Sequence, residues 1–262
     1  MIGSIAKEKI SAKSRLITAW FEELALPVAP ACNMMCNFCS RDSDCICNAN
    51  NPSVLSRVMT PRQAVNWAVS CANKNKSIKV IKISGPGEPL FNKQTFEVLK
   101  RLNVHLPNHI FSISTNGLLL KERIDDLLRL NVGMVEVSLN SIYPESSYKL
   151  YSRLIKDERI INDKAKIADT LRESQIEGIK LCIKNGIEVK INTIFFPDIN
   201  RDDIFNISEL CRELGVKSMR LIPALPNGKL KAVHTPSLTE MTMLCELFSK
   251  KVSIVEIKTF TN

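Results

Sequence analysis

The sequence predicts an α/β protein built on a parallel sheet, and two observations carry that expectation. Six short apolar or alternating stretches, at residues 24–31, 78–84, 109–114, 132–139, 188–196 and 217–222, are separated by segments of helical pattern. Strands that alternate with helices form parallel sheets with right-handed crossovers. The chain is also long enough, since 262 residues with 45% hydrophobic content supply one large core. Periodicity alone leaves two layouts open, a doubly wound sheet and a barrel.

Residues 1–23 begin polar and pass into Leu16-Ile17-Thr18-Ala19-Trp20-Phe21, an N-terminal arm or helix. The first strand pattern, 24–31, runs into three cysteines within eight residues, Cys32, Cys36 and Cys39, spaced CxxxCxxC. Residues 41–58, rich in Asn, Asp, Ser and Cys, have no period and read as a long ordered loop, which in compact domains tends to be functional. Thr60-Pro61-Arg62-Gln63 then supplies an N-cap, a proline at the first helical position and a capping-box glutamine, opening a helix to about residue 74. Its Ala64, Trp67, Ala68 and Cys71 share one face.

The strand at 78–84 ends in Gly85-Pro86-Gly87-Glu88-Pro89, and that at 109–114 ends in Ser114-Thr115-Asn116-Gly117. After a helix at 121–130, the strand at 132–139 ends in Ser138-Leu139-Asn140-Ser141. A helical pattern is expected from Pro144 onward, with a long helix before Gly186. The strand at 188–196 contains Asn192-Thr193, and a helix at 202–214 leads to the strand at 217–222. The chain therefore divides into an arm (1–23), a main domain (24–226) and a C-terminal extension (227–262).

Lys and Arg number 36 against 27 Asp and Glu, a net charge of +9. These cations are spread out, without a basic run or interleaved aromatics, so a solvated Lys-rich surface is expected rather than a nucleic-acid interface. No run of about eighteen apolar residues and no charged-then-apolar leader is present, and a cytoplasmic protein without membrane contact is expected. Nine cysteines, odd in number and clustered, point to a reducing compartment and metal ligation rather than disulfides.

Thiolates are the natural ligands of iron–sulfur clusters, and a short loop can aim three of them at one centre. Cys32, Cys36 and Cys39 thus suit three irons of a 4Fe-4S cluster, leaving the fourth open to a ligand. Zinc with Cys45 or Cys47 as a fourth ligand, or plain core packing, are the alternatives. Cys71, Cys182, Cys211 and Cys245 fall in helical patterns and read as core, and His105, His109 and His234 stand isolated. In parallel α/β architectures the chemistry sits at the carboxyl ends of strands, where Gly85, Gly87, Glu88, Thr115, Asn116, Asn140 and Asn192 lie in or beside the strand patterns.

The CxxxCxxC spacing with Phe38 before the last cysteine resembles the signature of radical S-adenosylmethionine (SAM) enzymes. The resemblance selects a partial (β/α)6 barrel from the two layouts. It implies a 4Fe-4S cluster on Cys32, Cys36 and Cys39 whose open iron chelates SAM, one-electron reduction from a donor such as ferredoxin or flavodoxin, and cleavage to methionine and a 5′-deoxyadenosyl radical that abstracts hydrogen from a substrate. It places Gly85, Gly87 and the Glu88 carboxylate at the cofactor's amino group, with Thr115, Asn116, Asn140 and Asn192 suited to its ribose or carboxylate.

More narrowly, Ala29-Pro30-Ala31-Cys32-Asn33, Cys36-Asn37-Phe38-Cys39, Arg41 and Asp44-Cys45, followed by Thr60-Pro61, Gly85 to Leu90, Ser114 to Leu118, Pro144-Glu145, Glu177-Gly178 and Lys190 to Asn200, resemble the NifB family over roughly residues 26–226. That family builds the iron–sulfur precursor of the nitrogenase cofactor and binds further 4Fe-4S clusters as substrates. The resemblance matches one additional family cysteine to Cys45 and puts Ser141 where another would stand. Residues 1–23 hold no His-Pro-Cys element, and residues 251–262 hold no cysteine. Cys47 is extra, so Cys45 and Cys47 are the candidates for a second cluster. Three functions follow: a NifB-like enzyme acting on iron–sulfur clusters, a NifB-related radical enzyme acting on another substrate, and a non-catalytic iron–sulfur protein.

Overall fold

The structure, a computed structural model, describes residues 22–39, 58–248 and the strand at 254–257. In chain order its elements are β1 (Glu22–Pro27), β2 (Met34–Cys36), α1 (Pro61–Lys74), β3 (Ile78–Ser84), a single 3-10 turn (Pro89–Phe91), α2 (Lys93–His105), β4 (Ile110–Thr115), α3 (Ile124–Arg129), β5 (Val132–Ser138), α4 (Pro144–Leu150), β6 (Tyr151–Lys156), β7 (Arg159–Ile161), α5 (Lys164–Lys184), β8 (Glu188–Phe195), α6 (Arg201–Leu214), β9 (Ser218–Pro223), α7 (Leu238–Phe248) and β10 (Ile254–Ile257). Seven strands form one sheet in the order β1-β3-β4-β5-β8-β9-β10, every neighbouring pair parallel. The sheet curls into a half-barrel with helices outside, as the partial barrel requires.

Strand alternation explains which face is which. Ile81, Ile83, Phe111, Ile113, Val135, Val137, Val189, Ile191, Met219 and Leu221 share one face and pack with Ala64, Ala68, Leu99, Leu127, Ile179, Cys182, Ile207 and Cys211 of the helices. The opposite face is polar: Lys82 pairs in register with Ser112, Ser114 with Glu136, Glu136 with Lys190, and Asn192 with Arg220. The capping box of α1 forms as expected, with Thr60 Oγ1 accepting from Gln63 N and Gln63 Oε1 accepting from Thr60 N. Trp67, however, is 51% exposed, and Val65 and Ala72 take buried places beside Ala64 and Ala68. Cys71 and Cys245 are partly buried against the core, while Cys182 and Cys211 are fully within it.

Three expectations need correction. The helical pattern from Pro144 is broken by the hairpin β6–β7, which joins β2 in a separate antiparallel sheet. Its two-residue turn puts Asp157 and Glu158 at φ 50° and 60° without the Asn-Gly or Asp-Gly pair that announces such turns. The cysteine loop is therefore not wholly irregular, since Met34–Cys36 is a strand of that sheet. The sheet also has a seventh strand, β10, paired with β9 from within the C-terminal extension.

The polar face contains a buried ion cluster. Lys82, 1% exposed, places Nζ 2.6 Å from Glu23 Oε1 and 3.2 Å from Glu136 Oε2, and Arg220 lies 3.8 Å from the latter. Burial alone would raise the Glu136 pKa, but Lys82 foremost, with Arg220, Lys190 and the Asn192 amide, outweighs it and holds the value near 2. That stabilisation is present above the ordinary carboxylate range and is lost as pH falls toward 2.

Lys82→Met should lower the unfolding free energy by about 3–5 kcal/mol in urea denaturation, because it strands buried Glu136. Pairing it with Glu136→Leu should recover part of that loss. A single variant as stable as the parent would show that the cluster contributes nothing.

Candidate active site

The mouth of the half-barrel is organised by backbone lying on backbone. After β1, residues 28–31 cross the end of β3: Val28 N donates to Ser84 O, Gly87 N to Ala29 O at 2.6 Å, and Glu88 N to Ala31 O at 2.9 Å. Asn92 closes the clamp, its Nδ2 donating to Ala31 O at 2.7 Å and its Oδ1 accepting from Ala31 N at 3.3 Å. A Cβ on Gly87 would fall 2.1 Å from Ala31 O, so only glycine allows this approach. The first cysteine follows directly.

The Glu88 carboxylate ties this turn to the next strand. Its Oε1 accepts from Leu90 N (3.0 Å) and Thr115 Oγ1 (2.6 Å), and its Oε2 accepts from Asn116 N (2.6 Å). Burial pushes its pKa up to about 7, although the bonds from Asn116, Thr115 and Leu90 oppose the shift. Asn116 then reaches the cysteine loop, donating from Nδ2 to Asn33 Oδ1 at 2.9 Å. Asn140 donates to Tyr151 Oη (3.2 Å) and accepts from Ile194 N (2.8 Å), joining the end of β5 to β6 and β8.

The cysteine loop is gripped from the other side by the end of α4, the hairpin and Lys229. Ile155 N donates to Asn33 O and Asn37 N to Leu150 O, both at 2.7 Å, while Lys229 N donates to Asn37 O at 2.6 Å. Phe38, buried before the last cysteine, packs on Tyr151 and Phe196 with ring centroids 6.1 and 5.4 Å away. The aromatic thus anchors the loop in a second apolar cluster with Met34, Leu118, Leu154 and Ile194.

Cys32, Cys36 and Cys39, all half-buried, line one cavity of about 410 Å³ together with Gly87, Glu88, Asn116, Ser138 and Asn140. Gly85 and Thr115 stand behind this wall, Gly85 inside the turn and Thr115 on the Glu88 carboxylate. Asn192 is not brought to the cavity: its Nδ2 donates to Glu136 Oε2 at 2.9 Å, within the ion cluster. Cys45 and Cys47 lie outside the described residues. Among the described residues, no three His, Cys, Asp or Glu side chains form a ready-made metal cage. No helix among them is long and apolar enough to cross a membrane.

Sequence reading missed Gln175. From α5 its Nε2 donates to Asn116 O (2.7 Å) and Ser138 O (2.9 Å), holding together the ends of β4 and β5 where both residues line the cavity. A polar residue among Ile167, Leu171 and Ile179 on the buried stripe of a long helix was the available signal.

Gln175→Leu should cost about 1–3 kcal/mol in chemical denaturation, since it leaves two buried carbonyls unpaired; an unchanged midpoint would rule out the bracing role. Because the folded pKa of Glu88 lies above its ordinary 4.5, the group's contribution is greatest at low pH and declines as pH rises through about 7. Glu88→Gln should flatten that decline when unfolding midpoints are compared across this range, and an identical pH slope in both proteins would contradict the assignment.

Residues 26–226 match the Radical SAM superfamily. The chain is 37% identical over 216 residues to a FeMo cofactor biosynthesis protein NifB from Methanocaldococcus infernus, a match covering 82% of this chain and 71% of the relative. The namesake from Methanocaldococcus jannaschii is 34% identical, with 87% of this chain and 75% of the relative covered. Streptococcus suis SuiB, solved with bound S-adenosylmethionine, superposes with a TM-score of 0.65 over 95% of this chain and 53% of SuiB at 14% identity, which speaks for the fold alone. Taken with the placement of the cysteine loop at the barrel mouth, these likenesses mean that the chain belongs to the radical SAM superfamily and stands close to its NifB members.

Proposed function

We propose that the chain is a NifB-like radical SAM enzyme whose Cys32, Cys36 and Cys39 carry a 4Fe-4S cluster and whose barrel mouth binds SAM. One observation carries the reading: the three thiols and the polar ends of β3, β4 and β5 line the same cavity. The donor set fits, since thiolates are what such clusters require and, among the described residues, no fourth thiol lines that cavity. Asn33 Nδ2, buried one residue beyond Cys32, has no acceptor among the described residues. When bound, the cluster supplies the electron that cleaves SAM to methionine and a 5′-deoxyadenosyl radical.

The protein's own groups shape the cofactor's seat. All the hydrogen bonds of the Glu88 carboxylate go to Leu90, Thr115 and Asn116, so Glu88 serves as a brace that holds the Gly85–Pro89 turn and presents its backbone. Asn116 and Asn140 are held by Asn33, Tyr151 and Ile194, and their amides face a cofactor in fixed orientation. Lys82, Glu136 and Asn192 bond to one another and do not line the cavity. Phe38 and Met34 cover one wall with apolar surface, which limits water at a site meant to handle a radical.

The names of the relatives support a role in FeMo cofactor biosynthesis; the resemblance in sequence adds an iron–sulfur cluster as substrate, with Cys45 and Cys47 as candidate ligands. Ser141, buried where the family resemblance calls for a thiolate, favours a second reading in which the radical acts on a different substrate. Electron supply by a ferredoxin or flavodoxin belongs to either reading.

Anaerobic reconstitution should give about four irons per chain from the trio, with Cys32→Ala, Cys36→Ala or Cys39→Ala each abolishing them. The parent, reduced with dithionite, should release 5′-deoxyadenosine from SAM; no release would sink the proposal. Roughly eight or more irons, reduced by Cys45→Ala, would favour the cluster-substrate reading, and four irons unaffected by that change would favour the second.

A further inference from the structure

Asn37 lies at the centre of the cysteine loop and hydrogen-bonds to a segment on either side. Its Nδ2 donates to Lys149 O at 2.8 Å, and its O accepts from Lys229 N at 2.6 Å. The second segment lies so close that a Cβ on Gly228 would fall 2.6 Å from Asn37 O and 2.8 Å from Cys39 O. These contacts bring basic side chains around the loop. Lys149, Lys229 and Lys231 are exposed, and Arg153 is half-buried opposite Met35 in the β2–β6 register.

None of these four cations makes an ion pair among the described residues, whereas Lys156, on the hairpin with Arg153, is neutralised by Glu122 at 3.0 Å. Among the described residues the nearby acid is Glu145, one turn before Lys149 in α4, while Asp157 and Glu158 sit with Arg159 at the far turn of the hairpin. Among the described residues, the loop's half-buried thiols are thus flanked by net positive charge without an ion-pair partner.

We propose that this basic collar is the docking surface for an acidic one-electron carrier protein of the flavin or iron–sulfur type. The inference rests on the proposed function, which needs an electron from outside. In the step, the carrier is oxidised by one electron and the cluster on the cysteine trio is reduced by one; no bond or proton moves. Complementary charge orients such an encounter and speeds it, most strongly at low salt.

The test is a charge reversal, Lys149→Glu with Lys229→Glu, which leaves the bonds to Asn37 intact because they involve only backbone atoms of the two lysines. Lys100→Glu with Lys184→Glu, on α2 and α5, is the control. With an acidic flavodoxin as probe, the reversal should weaken binding to the unreconstituted chain about tenfold at low salt, and slow flavodoxin-driven release of 5′-deoxyadenosine by a similar factor. Release driven by dithionite, which needs no docking, should stay unchanged. Unaltered flavodoxin affinity, an equal effect of the control, or parallel loss with both reductants would overturn the proposal. So would loss of affinity for heparin without loss for flavodoxin, which marks a general polyanion surface. If the parent releases nothing even with dithionite, the proposed function fails, while the flavodoxin affinities still decide the docking claim.

Discussion

The mouth of the half-barrel depends on one close approach, the Gly87 backbone against the carbonyls of Ala29 and Ala31. Two hydrogen bonds and the Asn92 side chain fix the peptide that enters the cysteine loop, so the position of Cys32 is set by the end of β3. Glu88 passes that constraint to Thr115 and Asn116, Asn116 passes it back to Asn33, and Gln175 locks the same strand end from the helical layer. A carboxylate with three protein donors is a costly element to bury, as its raised pKa shows. The arrangement gives a rigid rim to which a ligand can bind without first ordering it.

A half-barrel with a polar inner face poses a second problem, because charges removed from water need partners. Lys82 is enclosed between Glu23 and Glu136, and Arg220, Lys190 and Asn192 complete the balance around Glu136. Such a cluster adds little net stability over apolar residues of the same volume, but it is intolerant of losing one member. The helix-facing side of the same strands is almost wholly apolar, so the two sides divide the work: one face supplies the core, the other carries polar groups that converge toward the mouth.

The antiparallel hairpin links these features to function. It does not belong to the barrel, yet it supplies the hydrogen bond that holds Asn33 and the tyrosine that meets Phe38 and Asn140, while the end of α4 just before it and Lys229 hold Asn37. Arg153 stands beside the cysteine loop for the same reason. A segment that shapes the loop thus also sets the charge at its edge.

Much of this was legible in the residues. The alternation of β-branched runs with helical segments announced a parallel α/β sheet, and the radical SAM resemblance chose the half-barrel. The cysteine spacing, the Gly-Pro-Gly-Glu-Pro turn and the capping box of α1 are local patterns, and local patterns are written in consecutive residues. The hairpin was not, since its turn uses Asp157 and Glu158 in left-handed conformations without the glycine that would signal it. Nor could sequence show that Lys82 is enclosed, that Asn192 faces the ion cluster rather than the cavity, or that Gln175 braces two strand ends. By itself the sequence determined element types, the thiol set and the family. Only the tertiary structure decided which polar groups meet, because strand register and helix packing join residues tens of positions apart, and it is that proximity which fixes their hydrogen bonds and charge.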